Sequence, residues 1–256
     1  MKKITFIIIS ILLTFSASSF ASSSDAANKM KKDADVAYSK ANYATAIQLY
    51  ENILKNGESA EVYYNLGNSY YKHNEIAKSI LNYERALLLE PYNSDIRNNL
   101  EIARGKTLDK ANPTTELFFI TWAKTLNNAV SADGWAKWGI LFFFLFIGSV
   151  YFYVFSKYVK VKKIGFVCGL IFLGTTILAN IFAFNQKEGL VNRSTAIIMS
   201  HSVIVRSTPS ESGTKLFEIH DGHKVTIKDN SMSEWKDIQL EDGKEGWVHT
   251  SDIEVI

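Results

Sequence analysis

Trp138 to Phe184 reads WGILFFFLFIGSVYFYVFSKYVKVKKIGFVCGLIFLGTTILANIFAF, and the reading of this stretch sets the layout of the rest of the chain. Ile140 to Phe155 is almost wholly apolar, so residues 138–156 are just long enough to cross a bilayer as a helix, with a modest mismatch. Residues 164–184 supply a second run of the ~20 residues a span needs. That run has no charge, and Gly165, Gly169, Gly174 and Ala179 allow close helix contact. Residues 157–163 between them carry four lysines and no acid, which the positive-inside rule assigns to the cytoplasm. Both flanking parts are then expected outside. Helices of a soluble core seldom reach this length without a polar face, which argues against a buried pair.

The 256 residues leave room for about two domains besides the hairpin. The net charge of +2 is unevenly spread. Residues 22–110 balance twelve basic against twelve acidic side chains, and residues 190–256 hold seven against eleven, so neither part has a nucleic-acid footprint. At the N-terminus, Lys2 and Lys3, the apolar run Ile4 to Phe15, and Ser19 and Ala21 at the −3 and −1 positions form a secretory signal over residues 1–21. The single cysteine, Cys168, falls inside the second apolar run. No internal disulfide or thiol nucleophile is therefore expected in the exported parts.

Residues 24–106 contain an internal repeat. Ala60 to Pro91 reads AEVYYNLGNSYYKHNEIAKSILNYERALLLEP, and Tyr63, Leu66, Gly67, Tyr70, Ser79, Tyr83, Ala86 and Pro91 fall at the spacings of a tetratricopeptide repeat. A more degenerate copy lies 33 residues upstream, with Tyr43, Ala46, Tyr50 and Ile53 answering Ile76, Ser79, Tyr83 and Ala86. This resemblance implies an all-α domain with repeats at about 27–59 and 60–93. Large residues such as Tyr50 and Tyr83 would pack beside small ones such as Ala46 and Ala86. Ser94 is placed to cap a sealing helix over 94–104, with Ile96, Leu100 and Ala103 on one face.

The repeat consensus turns Asn28, Lys31, Asp35 and Tyr38, and then Glu61, Tyr64, Asn68 and Tyr71, toward one concave surface, the expected partner-binding groove. Lys31 and Asn65 resemble two positions of the basic clamp by which some tetratricopeptide domains hold a C-terminal carboxylate. Asp35 stands where that clamp wants an amide, which favours an ordinary solvated helix face.

Residues 107–137 connect the repeats to the first span. From Leu117, the residues Phe119, Trp122, Ala123, Leu126 and Val130 recur at helical spacing with Lys124, Asn127 and Asn128 opposite, an amphipathic helix suited to a lipid surface. Trp135 and Trp138 stand where an aromatic belt is expected. After the second span, the short polar segment Asn185 to Ser194 leaves the last part of the chain able to reach outward.

Over residues 194–256 the hydrophobic period changes to two. Short Val-, Ile- and Trp-rich segments alternate with Gly, Ser, Pro and Asp, as in a small all-β barrel, and Asp242-Gly243 is a hairpin turn. Val205 to Ser210, Gly222, Trp235 and Asp242 to Val248 resemble the bacterial SH3 module in order and spacing, with Ile204 where that family often has Asn. The resemblance implies binding of peptide or cell-wall material. His201, His220, His223 and His249 match no zinc spacing, so neither metal nor cofactor is expected. No Ser, Cys or paired carboxylate has an accompanying base, so an enzyme is not expected.

The order of signal sequence, two repeats, lysine-looped hairpin and terminal SH3 module resembles the BatE-like proteins of the bacterial aerotolerance (Bat) operon family. The likeness implies a non-enzymatic scaffold in the cytoplasmic membrane, beside membrane proteins with von Willebrand type A domains. Wall sensing, with the SH3 module on peptidoglycan peptides, is the competing reading.

Overall fold

The computed structural model describes residues 27–109 and 118–256, so the expected signal sequence lies outside the described residues. Five helices come first: α1 (27–39), α2 (Tyr43–Leu54), α3 (Ala60–Lys72), α4 (Ile76–Leu89) and α5 (Ser94–Arg104). Side-chain oxygens start three of them. Asn42 accepts from the Thr45 N–H at 3.3 Å, Ser59 from Val62 at 3.5 Å, and Asn93 from Asp95 at 3.1 Å and Ile96 at 3.3 Å. The cap of α5 is therefore Asn93, and the expected cap Ser94 is its first helical residue. Both residue types cap well, and the extended backbone at Asn93 decides between them.

The two helix pairs repeat in detail. Each turns through one left-handed residue, Ala41 (φ 58°) and Asn74 (φ 67°), which stand 33 positions apart. Tyr50 and Tyr83 are both 1% exposed, beside Ala46 and Ala86 at 0%. Gly67 is required where it stands, because a Cβ there would lie 2.7 Å from the Tyr83 ring.

After α6 (Phe118–Asn127), α7 (Ala132–Phe155) and α8 (Val159–Val191) form an antiparallel pair. Both are long and apolar enough to cross a membrane. Their apolar side chains face outward, including Phe144, Phe155, Ile164 and Phe184, unlike those of buried core helices. The helices run further than the apolar segments. The connection is only 156–158, and Lys160, Lys162 and Lys163 lie in the first turns of α8. The two helices approach closely at Gly165, whose added Cβ would come within 2.9 Å of the Ser149 carbonyl oxygen.

The C-terminal part is a seven-stranded antiparallel sheet: β1 (Thr195–Ile198), β2 (Ser202–Arg206), β3 (Lys215–His220), β4 (Lys224–Asp229), β5 (Trp235–Gln239), β6 (Glu245–His249) and β7 (Ile253–Val255), in the order β3-β2-β6-β5-β4-β1-β7. Gly243 (φ 88°) turns the β5–β6 hairpin, and Gly222 (φ 84°) turns the chain from β3 to β4, which are not neighbours in the sheet. Ala196, Ile198, Val203, Val205, Ile219, Val225, Ile238 and Val248 form its core.

This sheet does not reach outward from the hairpin; it packs on the repeats. β1 is buried on both faces, because Ala196 and Ile198 enter the barrel core while Ile197 joins Ile80, Tyr83, Ile96 and Leu100 of the helical part. Ile256 lies in the same cluster at 1% exposure. Polar contacts ring it. Arg85 donates to Glu254 at 3.0 Å and to the Val255 carbonyl at 2.6 Å, and Arg193 donates to both Glu58 oxygens at 2.6 and 2.7 Å. Asp109 accepts the His220 backbone N–H at 2.6 Å, with its other oxygen 3.1 Å from the His220 Nδ1. Glu84, nearly buried, bridges Arg104 and Lys224, the latter at 2.7 Å. The turn at Gly222 approaches so closely that a Cβ there would lie 2.6 Å from Thr107 Cγ2 and 3.0 Å from Ile80 Cδ1.

Candidate functional site

Helices α1, α3 and α5 place Tyr38, Tyr64, Asn68, Tyr71, Lys72, Asn99 and Ile102 around a cavity of about 310 Å3, with Tyr83 contributing to its wall. Its geometry is fixed by hydrogen bonds among its own residues. Asn99 Nδ2 donates to the Tyr64 hydroxyl at 2.9 Å and to Asn68 Oδ1 at 3.0 Å, and the Tyr83 hydroxyl donates to the same Oδ1 at 2.6 Å. The Asn68 carbonyl is thereby filled, which leaves its amide N–H groups as the hydrogen-bonding capacity it can offer a ligand. Tyr64 tilts onto Tyr83 at 6.0 Å between centroids, and Tyr38 meets Tyr43 edge-on at 5.5 Å.

The electrostatics are those of a neutral aromatic surface with a basic rim. Burial pushes the Tyr38 and Tyr83 phenols up, so both stay protonated near neutrality. The Lys106 ammonium sits 4.2 Å from the centre of the Tyr71 ring, a cation–π contact, and Lys72 is exposed beside it. Such a surface can anchor an aromatic or amide side chain of a partner, with an acidic neighbour beside the lysines.

Of the residues expected in the groove, Tyr38, Tyr64, Asn68 and Tyr71 come together here. Lys31, Asp35 and Glu61 do not join them. Lys31 Nζ lies 2.9 Å from Glu61 and 3.2 Å from Asp35, and the hydrogen bond to Glu61 first, with that to Asp35, raises its pKa. Asp35 also accepts the Tyr50 hydroxyl at 2.6 Å. A lysine between two carboxylates has no net positive field for a third, so the carboxylate clamp does not form. Lys72, Asn99, Ile102 and Lys106 were not expected. Asn99 sits one position from the apolar stripe of α5, and only the packing angle of that helix brings it over Asn68.

The His201 and His220 rings meet edge-on at 6.4 Å between centroids, but each has its own acidic neighbour. His220 pairs with Asp109, His201 lies 3.4 Å from Asp221, and His249 lies 2.7 Å from Glu211 with its ring 3.8 Å from that of Trp235. Among the described residues, no three His, Cys, Asp or Glu side chains gather where they could hold a metal ion.

Comparison with known families agrees with these shapes. A tetratricopeptide repeat model matches residues 60–93, the α3–α4 pair, and a bacterial SH3 domain model matches residues 201–254. No curated protein matches the chain. Among solved structures, the Sgt2 TPR domain from Aspergillus fumigatus aligns over 65% of this chain and 82% of its own, at 15% identity and a TM-score of 0.30. The chain thus carries a tetratricopeptide repeat and a bacterial SH3 domain on either side of a pair of long apolar helices.

Proposed function

We propose that this protein is a non-enzymatic, membrane-anchored adaptor of the bacterial cell envelope that binds protein partners through the concave face of its repeats. The observation carrying this reading is the asymmetry of the repeat surface: the SH3 domain covers one side, while the Tyr38–Tyr64–Tyr71 cavity on the other stays open. Aromatic residues with fixed side chains are the type that anchor interfaces, because they bury large areas at low entropy cost. In this reading α7 and α8 cross the cytoplasmic membrane, the lysine end faces inward and both soluble modules face out. Helix α6, with Phe118, Phe119 and Trp122 exposed, lies on the bilayer surface. The resemblance to the Bat operon proteins suggests membrane partners with von Willebrand type A domains and a role in stress tolerance.

The test is crosslinking and co-purification in mild detergent. Tyr64→Ala with Tyr71→Ala, in protein that still inserts and melts cooperatively, is expected to abolish recovery of membrane partners. Unchanged recovery would reject the groove. Orientation is tested separately: a Cys at Lys160 should resist an impermeant thiol reagent in spheroplasts, and one at Asn74 should react.

A second reading, wall binding through the SH3 domain, is favoured by one observation. Docking uses β1, β7 and the β3–β4 turn, leaving Trp235, His249 and Glu211 clustered away from the repeats. Retention on insoluble peptidoglycan that survives the two tyrosine substitutions would support it.

A further inference from the structure

Where α8 leaves its apolar run after Phe184, the repeats, the connector and the SH3 domain meet around a cavity of about 340 Å3. Its polar wall is Arg97, Asn127, Gln186 and Lys224 with Glu84, and Leu87 and Leu88 supply an apolar side. The site is held in place by the connector. Gln186 Nε2 donates to the carbonyls of Asn127 and of Val130, the latter at 2.7 Å, and Trp135 Nε1 donates to the Asn127 carbonyl at 2.9 Å.

Two features define what could enter. The first is a surplus of positive charge, because Glu84 already bonds Arg104 and Lys224 with its two oxygens while Arg97 has no carboxylate partner among the described residues and gives one nitrogen to the Pro91 carbonyl. The second is an acceptor without a donor: Asn127 Oδ1 is buried and receives no hydrogen bond among the described residues. A fitting ligand carries one negative charge for Arg97 and Lys224 and, within a few bonds of it, a neutral N–H or O–H for Asn127. A phosphodiester with a hydroxyl-bearing head group has both. Phosphatidylcholine has the phosphate but no donor.

We propose that this three-way junction is a binding site for the head group of an anionic, hydroxylated phospholipid of the phosphatidylglycerol type, its phosphate on Arg97 and Lys224 and a hydroxyl on Asn127. The proposal rests on the reading of α7 and α8 as membrane spans, which puts Asn185 and Gln186 at head-group depth. A bound lipid would join all three parts of the protein at the bilayer surface.

The full chain is reconstituted into phosphatidylcholine vesicles with and without phosphatidylglycerol, extracted in mild detergent, and its retained lipid counted by native mass spectrometry. Wild-type protein is expected to keep one phosphatidylglycerol at least about tenfold more often than phosphatidylcholine. Arg97→Gln and Asn127→Leu should each remove that preference without changing the melting temperature. Equal retention of the two lipids, or a preference that persists in both variants, overturns the site. Displacement by sn-glycerol 3-phosphate as readily as by lipid identifies a soluble phosphate compound as the ligand and overturns the lipid assignment. Resistance to alkaline extraction is measured on the same vesicles. Release by alkali defeats the membrane reading and the lipid site with it, whereas inserted protein without lipid preference defeats the lipid site alone.

Discussion

The Tyr50 hydroxyl donates to the Asp35 carboxylate at 2.6 Å, tying the second helix of the first repeat to its first helix. One repeat later, Tyr83 makes the same bond to Asn68, also at 2.6 Å and again across 15 positions. The family model matches only the second repeat, yet the bond recurs in both. Losing the hydroxyl alone, in Tyr83→Phe, is expected to cost about 1 kcal/mol. Tyr83→Ala also opens a cavity against Gly67 and should cost about 3 to 5 kcal/mol. Denaturant titration of the full chain checks the ordering, and equal losses would refute the hydrogen-bond assignment.

Ala41 and Asn74 occupy the same left-handed position in successive repeats, but only asparagine is well suited to it. An alanine held there carries a steric cost of about 1 kcal/mol. Ala41→Asn should therefore raise the melting temperature, and a fall on calorimetry would show that the side chain, not the backbone, governs this turn.

The two faces of β1 predict two different losses. Ile198→Ala removes a side chain from the barrel core and should unfold the SH3 domain, at about 2 to 5 kcal/mol. Ile197→Ala removes one from the contact with the repeats, so the barrel should stay folded while the two parts become separately mobile. Amide exchange resolves them. Increased exchange confined to the surfaces around Ile80 and β7 is the expected signature of Ile197→Ala.

His223 gives the contact a pH dependence. Burial pulls its imidazole pKa down; Asp109, Glu241 and Asp242 oppose this and Arg104 adds to it. The folded value lies below the unfolded one of about 6.5, so the stabilisation is complete above that pH and declines as pH falls toward the folded value, where the unfolded chain takes up the proton first. Glu58 works in a lower window. Arg193 holds its carboxyl down, so its contribution is present above the ordinary carboxylate value of about 4.3 and is lost as pH falls through the lowered one. Melting temperatures should thus drop as pH falls below about 6.5, and His223→Gln should flatten that slope. A slope unchanged by the substitution would assign it elsewhere.

The repeats, the apolar pair and the small β domain were each legible in the sequence because their hydrophobic periods differ, and Tyr50 and Tyr83 could be placed in the core from repeat spacing alone. The docking of the β domain was not. Its trace is the run Ala196 to Met199, apolar at every position where a strand solvated on one face would alternate. That run states that β1 has two covered faces without naming the second cover. The groove was legible in half. Tyr38, Tyr64, Asn68 and Tyr71 follow from helix position, whereas the quenching of Lys31 by Glu61 depends on the register between α1 and α3, which no single-helix pattern carries.

Helix α7 begins and α8 ends at the same end of their pair, where Gly139 approaches Asn180, and the parts on either side of the pair clasp each other there. Because both leave the pair at that one end, each is held near the other at an effective concentration on the order of millimolar. Their interface can therefore be weak by the standards of two separate proteins and still remain shut. With the clasp shut, the tyrosine cavity does not swivel independently of the β domain: a partner seated there pulls against a platform braced through both helices of the pair, and meets it in one orientation.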